Sequence, residues 1–207
     1  SFSRFLEVAA LMNGRIANVS GLARDAAVAR PTVQGYFSTL VDTLIGVWLP
    51  AWRKRVKVKE VASPKFYLFD PGVVRALAGR LREPLDGAER GFLLETWILH
   101  ELRAAMATQD TGGQLHYWRT PSGSEVDFVW TRGPHAVGLE VKAATTWRTE
   151  YGASLKALIA QGSLQAGYGT YMGAAELKDG PLRVFPLKRF LKELASGHVL
   201  VAGQGKS

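Results

Sequence analysis

The sequence predicts an α/β (α+β) chain in two parts. An N-terminal winged helix-turn-helix covers residues 1–80, and a C-terminal α/β domain, a mixed sheet flanked by helices, covers 81–207. Three observations predict this. Apolar residues recur at helical spacing through much of 2–44, and then apolar and basic residues partly alternate across 48–70. From residue 86 a long amphipathic pattern precedes three strand-like runs, after which helix and strand patterns follow in turn. Charge divides at the same place: residues 1–80 hold twelve Lys/Arg against five Asp/Glu, and 81–207 hold fourteen against thirteen.

Of the net charge of +8, then, +7 sits in the first part, which suits a polyanionic partner such as DNA. At 47% apolar residues the 207-residue chain can bury a core and is not a disordered tail. The absence of cysteine excludes disulfides and thiolate metal sites and fits a reducing, cytoplasmic setting. No apolar run reaches the length of a membrane span, and the start SFSRFLEVAALMNG has no signal-peptide pattern.

In the first part, FSRFLEVAALM (2–12) reads as a short amphipathic helix. Ser20 is placed to cap a second helix that buries Leu22, Ala23 and Ala26. A turn at 27–29 turns Val28 inward. Pro31 then suits the first turn of a third helix, where its missing N–H costs nothing. Val33, Phe37 or Tyr36, Leu40, Val41 and Leu44 form that helix's buried stripe. Arg30, Thr32 and Gln34 are left at its exposed N-terminal end, where a recognition helix contacts base edges. The stretch WLPAWRKRVKVKEVASPKFYLFD predicts a ribbon. Arg53, Arg55, Lys57 and Lys59 share one parity and, with Lys54, face phosphates as a wing. Winged helices also serve as protein adaptors and spacers, and that alternative stays open. Asp70-Pro71 reads as a cap and first residue of a helix through VVRALAG.

In the second part, Asp86 and Glu89 have capping-box spacing ahead of a helix over 86–107. Phe92, Leu94, Ile98, Leu99, Leu102, Ala105 and Met106 share its broad apolar face, and Glu95 falls in the middle of that face. A carboxylate aimed at a core needs a counter-charge or a metal. Strands are expected over 115–120, 124–130 and 136–144, with a four-residue turn 132–135. In that register positions summing to 267 face each other. Asp127 then opposes Glu140, and Glu125 opposes Lys142, while Val126, Phe128, Trp130, Leu139 and Val141 point to the other side. Two opposed carboxylates repel, and a divalent cation between them would relieve this. Lys142 could orient a water or neutralise charge on a phosphate. A helix (152–162), strands (167–173 and 182–187) and a closing helix (188–197) complete the layer.

This arrangement resembles the PD-(D/E)XK nuclease-like superfamily, with Glu95, Asp127, Glu140 and Lys142 at the matching positions. The resemblance implies a restriction-endonuclease-like sheet. It also implies Mg²⁺ or Mn²⁺ held by Asp127, Glu140 and Glu95, with Lys142 completing the catalytic set. The sequence departs from the motif in having Val126 where a proline would precede the aspartate. A wider resemblance rests on FLEVAALMNG, YFSTLVDTLIG, SPKFYLFDPGVVRALAG, GFLLETWILHELR, HYWRTPSGSEVDFVW and GLEVKAA. These are similar to the C-terminal half of a prokaryotic family of AAA-type P-loop ATPases, in which a winged helix precedes the domain of unknown function 4143. That implies either a nuclease or a non-catalytic DNA-binding, regulatory or protein-interaction module, with the ATPase part as a partner outside this chain. No complete Walker A motif is present: the terminal GKS lacks its first glycine, since position 200 is Leu200. The four histidines show no zinc spacing, and there is no G-x-S-x-G elbow.

Overall fold

A computed structural model describes residues 1–53 and 63–201. Among these residues it has seven α-helices, a two-stranded antiparallel sheet and a six-stranded mixed sheet, an α+β architecture. The chain divides into two compact units. Among the described residues, the first holds 1–50 and 63–97, and the second 51–53 and 98–201. No described helix is long and apolar enough to cross a membrane.

In the first unit α1 (Phe2–Leu11), α2 (Val19–Asp25) and α3 (Arg30–Asp42) lead into β1 (Gly46–Leu49), which pairs antiparallel with β2 (Lys65–Leu68). Then come α4 (Pro71–Leu77) and the start of α5 (Gly87–Thr108). The core is aromatic: Phe37 packs on Phe5, Trp48 and Phe66 with ring centroids 5.0, 4.8 and 4.7 Å apart. Edge-on and tilted rings at this spacing add stabilisation beyond area burial. Asn13 is a buried clamp at the centre. Its carbonyl oxygen accepts the Leu68 N–H (2.7 Å), and its amide donates to the hydroxyl of buried Thr96 (2.7 Å).

Local signals hold with three corrections. Pro31 lies in the first turn of α3, Asp70 caps α4 through the Val73 N–H (2.9 Å), and Asp86 accepts the Glu89 N–H (2.7 Å). The Glu89 carboxylate does not complete the capping box; it pairs with Arg75 at 3.2 Å. The cap of α2 is Asn18, not Ser20: the Asn18 carbonyl accepts the Gly21 N–H at 3.0 Å, leaving Ser20 inside the first turn. Leu44 is not part of the buried stripe. The helix ends at Asp42, Leu44 takes φ +62°, and its side chain turns out to 80% exposure. The expected ribbon residues Lys54, Arg55, Lys57 and Lys59 lie outside the described residues. Arg53 is described and exposed.

The second unit is built on a sheet of order β3-β4-β5-β6-β8-β7. Its strands are β3 (Gln114–Arg119), β4 (Glu125–Arg132), β5 (His135–Lys142), β6 (Ala166–Tyr171), β7 (Leu177–Asp179) and β8 (Leu182–Pro186). Antiparallel β3, β4 and β5 are followed by a 3₁₀ turn (Thr149–Gly152) and α6 (Ala153–Ala160), which carry the chain to β6, parallel to β5. Strand β8 is parallel to β6, β7 is an added hairpin partner that the sequence did not signal, and α7 (Leu187–Ala195) closes the unit. Leu155 and Leu158 of α6 and Leu164 pack on Val129, Val184 and Leu182.

The β4–β5 register is the expected one, from Arg132↔His135 to Phe128↔Leu139. Against β3, however, β4 shifts by a residue between the His116↔Val129 and Trp118↔Val126 pairs. Such a bulge breaks strict alternation. Val126 therefore joins Val129 and Leu155 in one core cluster, instead of pairing with Phe128 on the opposite face.

Candidate functional site

Asp127 sits at the bulge, where main-chain pairing of β4 with β5 stops. Its Oδ2 takes over the ladder and accepts the Val141 N–H at 2.8 Å. This fixes the carboxylate rigidly to β5. Glu140 and Lys142 leave one face of β5, two residues apart, so both lie beside Asp127. The Lys142 ammonium is 2.5 Å from Glu140 Oε1 and 3.7 Å from Asp127 Oδ2. Asp127 and Glu140 are 5% and 6% exposed, while Lys142, at the strand end, is half-buried. Two nearly dry carboxylates thus stand close to one lysine ammonium, in a place where water screens their charges little.

Glu125 does not oppose Lys142. Because β4 beyond the bulge follows β3, Glu125 pairs with Arg119 at 3.0 Å, directly across in the ladder. Glu95 is half-buried on α5, just before the buried Thr96, in the stretch of α5 that belongs to the first unit. Among the described residues, no three His, Asp or Glu side chains cluster so as to hold a metal ion.

The sequence reading missed the surroundings of Lys142. The Tyr151 ring lies 5.7 Å from its ammonium, and Trp147 stands edge-on to Tyr151 at 5.7 Å. Trp147 lies over Gly169, the register partner of Glu140; a methyl group there would come within 2.6 Å of the indole. The Trp147 N–H donates to Asp179 Oδ2 (3.1 Å), and Asp179 is held by the Lys156 ammonium at 2.9 Å. Two aromatic residues in the otherwise polar run TTWRTEY were the available signal.

Could these residues hold a divalent cation? A hard cation of the Mg²⁺ kind is commonly bound by one or two carboxylates, with water and substrate phosphate completing the shell. Asp127 and Glu140 fit that two-carboxylate mode, and Asp127 keeps its Oδ1 after Oδ2 is committed to Val141.

In the first unit, Arg30, Thr32 and Gln34 are all exposed in the first two turns of α3. Arg30 and Gln34 line a cleft of about 480 Å³ together with Asn18, Ser38 and Trp48.

Comparison with known families divides the chain in two. Residues 90–190 match a domain of unknown function, DUF4143. Every strand of the six-stranded sheet falls within that match, as do Asp127, Glu140 and Lys142. Residues 1–83 match a second domain of unknown function, DUF8612. Uncharacterized proteins of Mycobacterium bovis and Mycobacterium tuberculosis are each 32% identical over 140 residues, 65% of this chain. The aligned stretch is 30% of each relative's own length.

Proposed function

We propose that the second unit is a PD-(D/E)XK-type phosphodiesterase domain that acts on nucleic acid in the presence of Mg²⁺ or Mn²⁺. The observation that carries this reading is the meeting of Asp127, Glu140 and Lys142 from neighbouring strands, with Lys142 within 2.5 and 3.7 Å of the two acids. In this reading the first unit is a winged helix that delivers DNA through Arg30, Thr32 and Gln34 on α3. Arg53, Lys54, Arg55, Lys57 and Lys59 add contacts to the phosphates of the same DNA. The setting is cytoplasmic, and the partner is an AAA-type ATPase part, in keeping with relatives much longer than the aligned stretch.

Asp127 and Glu140 would hold the cation, with water and a substrate phosphate completing its shell. When bound, the cation supplies Lewis-acid polarisation of a phosphate oxygen and acidifies a water. The protein's own contribution is positioning. The Val141 N–H locks Asp127, and Trp147 and Tyr151 wall the site on one side. Lys142, tethered by the acids at a strand end, is aimed where charge grows on a phosphate.

A second reading is favoured by one observation. Lys142 already serves as the counter-cation of both acids, and no three-ligand cluster forms among the described residues. The centre would then be a structural triad in a non-catalytic module that binds DNA or another protein and regulates an ATPase.

Cleavage of single- and double-stranded DNA with Mn²⁺ or Mg²⁺ separates the two. The phosphodiesterase reading expects cuts by wild type and a loss of about 100-fold or more in Asp127→Asn and Lys142→Ala. Equal cleavage by wild type and variants, or DNA binding with no cleavage by any, contradicts it.

A further inference from the structure

The same sheet carries a basic cleft that the acid–lysine centre does not use. Lys142, Tyr171 and Pro186 stand in register across the parallel strands β5, β6 and β8. Two strand spacings put Pro186 about 10 Å from Lys142 along one sheet edge. From Pro186 the chain runs directly into α7, whose exposed residues include Lys188, Arg189 and Lys192. The segment after β6 bridges the interval: the Met172 N–H donates to the Ala144 carbonyl (2.9 Å), joining it to the segment that follows Lys142. These parts enclose a cleft of about 470 Å³, with Met172, Pro186 and Leu187 among its apolar lining and the three cations on its rim.

An amphipathic helix often shows cations merely as its wet face, but three features distinguish this one. The cleft has no acidic residue among its lining, and Lys188 and Lys192 stand on its rim beside Arg189. Glu193, which holds Arg189 at 2.5 Å and His198 at 3.0 Å, is buried. Met172, although large and apolar, is 45% exposed beside the cations. An apolar floor with a cationic rim matches a nucleotide, which offers a flat base and a phosphate.

We propose that this cleft binds the phosphodiester backbone of a nucleic-acid strand next to the position served by Lys142, with Lys188 and Lys192 on consecutive phosphates. The placement of the strand rests on the phosphodiesterase reading of Asp127, Glu140 and Lys142; the binding itself is tested without it. The full chain is titrated into fluorescein-labelled single-stranded DNA in EDTA at several salt concentrations. Wild type, the Lys188→Ala/Lys192→Ala double variant and Arg30→Ala are compared, with circular dichroism as the fold check. The double variant is expected to bind roughly 10-fold more weakly near 0.1 M salt, and its log–log salt slope to fall by about 1.4, two contacts' worth. Unchanged affinity and slope in the double variant, no DNA binding by wild type, or capture of anionic vesicles in place of DNA through these lysines would overturn the cleft. A parallel cleavage assay with Mn²⁺ keeps the two ideas apart. Weakened binding without any cleavage upholds the cleft and removes the phosphodiesterase reading. Cleavage with an unchanged KM and salt slope in the double variant does the reverse.

Discussion

Asp127 does two jobs that a substitution can separate. Its Oδ2 is the acceptor for the Val141 N–H, and its carboxylate is one of the two that the Lys142 ammonium approaches. Asparagine keeps an oxygen for that N–H; alanine leaves it unpaired in a buried place. Urea unfolding should therefore find Asp127→Ala less stable than Asp127→Asn by about 1–3 kcal/mol. Equal stabilities would mean that the ladder role is not important. His116 on β3 offers a pH readout. Burial lowers its pKa from the ordinary value of 6.5, and its Nδ1 is buried with no partner among the described residues. The unfolded chain therefore takes up the proton first as the pH falls. The stability that His116 contributes is complete above about 6.5 and is lost as the pH drops toward the lowered folded value. Tm measured between about pH 7.5 and 5.5 should fall less steeply in His116→Asn than in wild type; parallel curves would argue against a half-buried imidazole held neutral.

Elements hold the residues in place, and here glycine matters twice. A side chain at Gly138 would collide with Leu155 of α6, and one at Gly169 would press on Trp147. Gly169→Ala should cost about 1–3 kcal/mol, because the indole is fixed from behind by Asp179 and cannot swing freely. It should also shift Trp fluorescence; an unchanged spectrum and stability would show that Trp147 is not seated there. The hairpin of β4 and β5 was legible because Gly133-Pro134 marked the turn and the turn length set the register. The β3–β4 bulge was not legible, since nothing in SGSEVDF signals an extra residue. That one irregularity moved Val126 to the other face and gave Glu125 to Arg119. Caps were legible where Asp was the strong candidate, at Asp70 and Asp86, and misassigned where Asn18 and Ser20 competed within two residues. Asp127, Glu140 and Lys142 were readable as neighbours because period-two alternation places them there. Trp147, Tyr151 and the Lys156–Asp179 pair depend on the 3₁₀ turn and on β7, neither of which has a periodicity to read.

At the scale of the molecule, each of the two units has its own core, one aromatic around Phe37 and one aliphatic around Leu155 and Val129. Each falls under a different family match, DUF8612 over 1–83 and DUF4143 over 90–190. The excess charge of the first part and the basic cleft of the second both suit a polyanion, so the proposed nucleic-acid binding is expected to weaken steeply with salt. What sets the second unit apart is the buried acid pair Asp127 and Glu140 with Lys142 close to both, which the proposed function makes a cation centre. Direct titration with Mn²⁺, followed by electron paramagnetic resonance of the free ion, tests that most sharply. The expected result is one bound ion per chain, lost in both Asp127→Asn and Glu140→Gln while the fold is kept. No bound ion in wild type, or binding that survives both substitutions, would contradict a cation centre at Asp127 and Glu140.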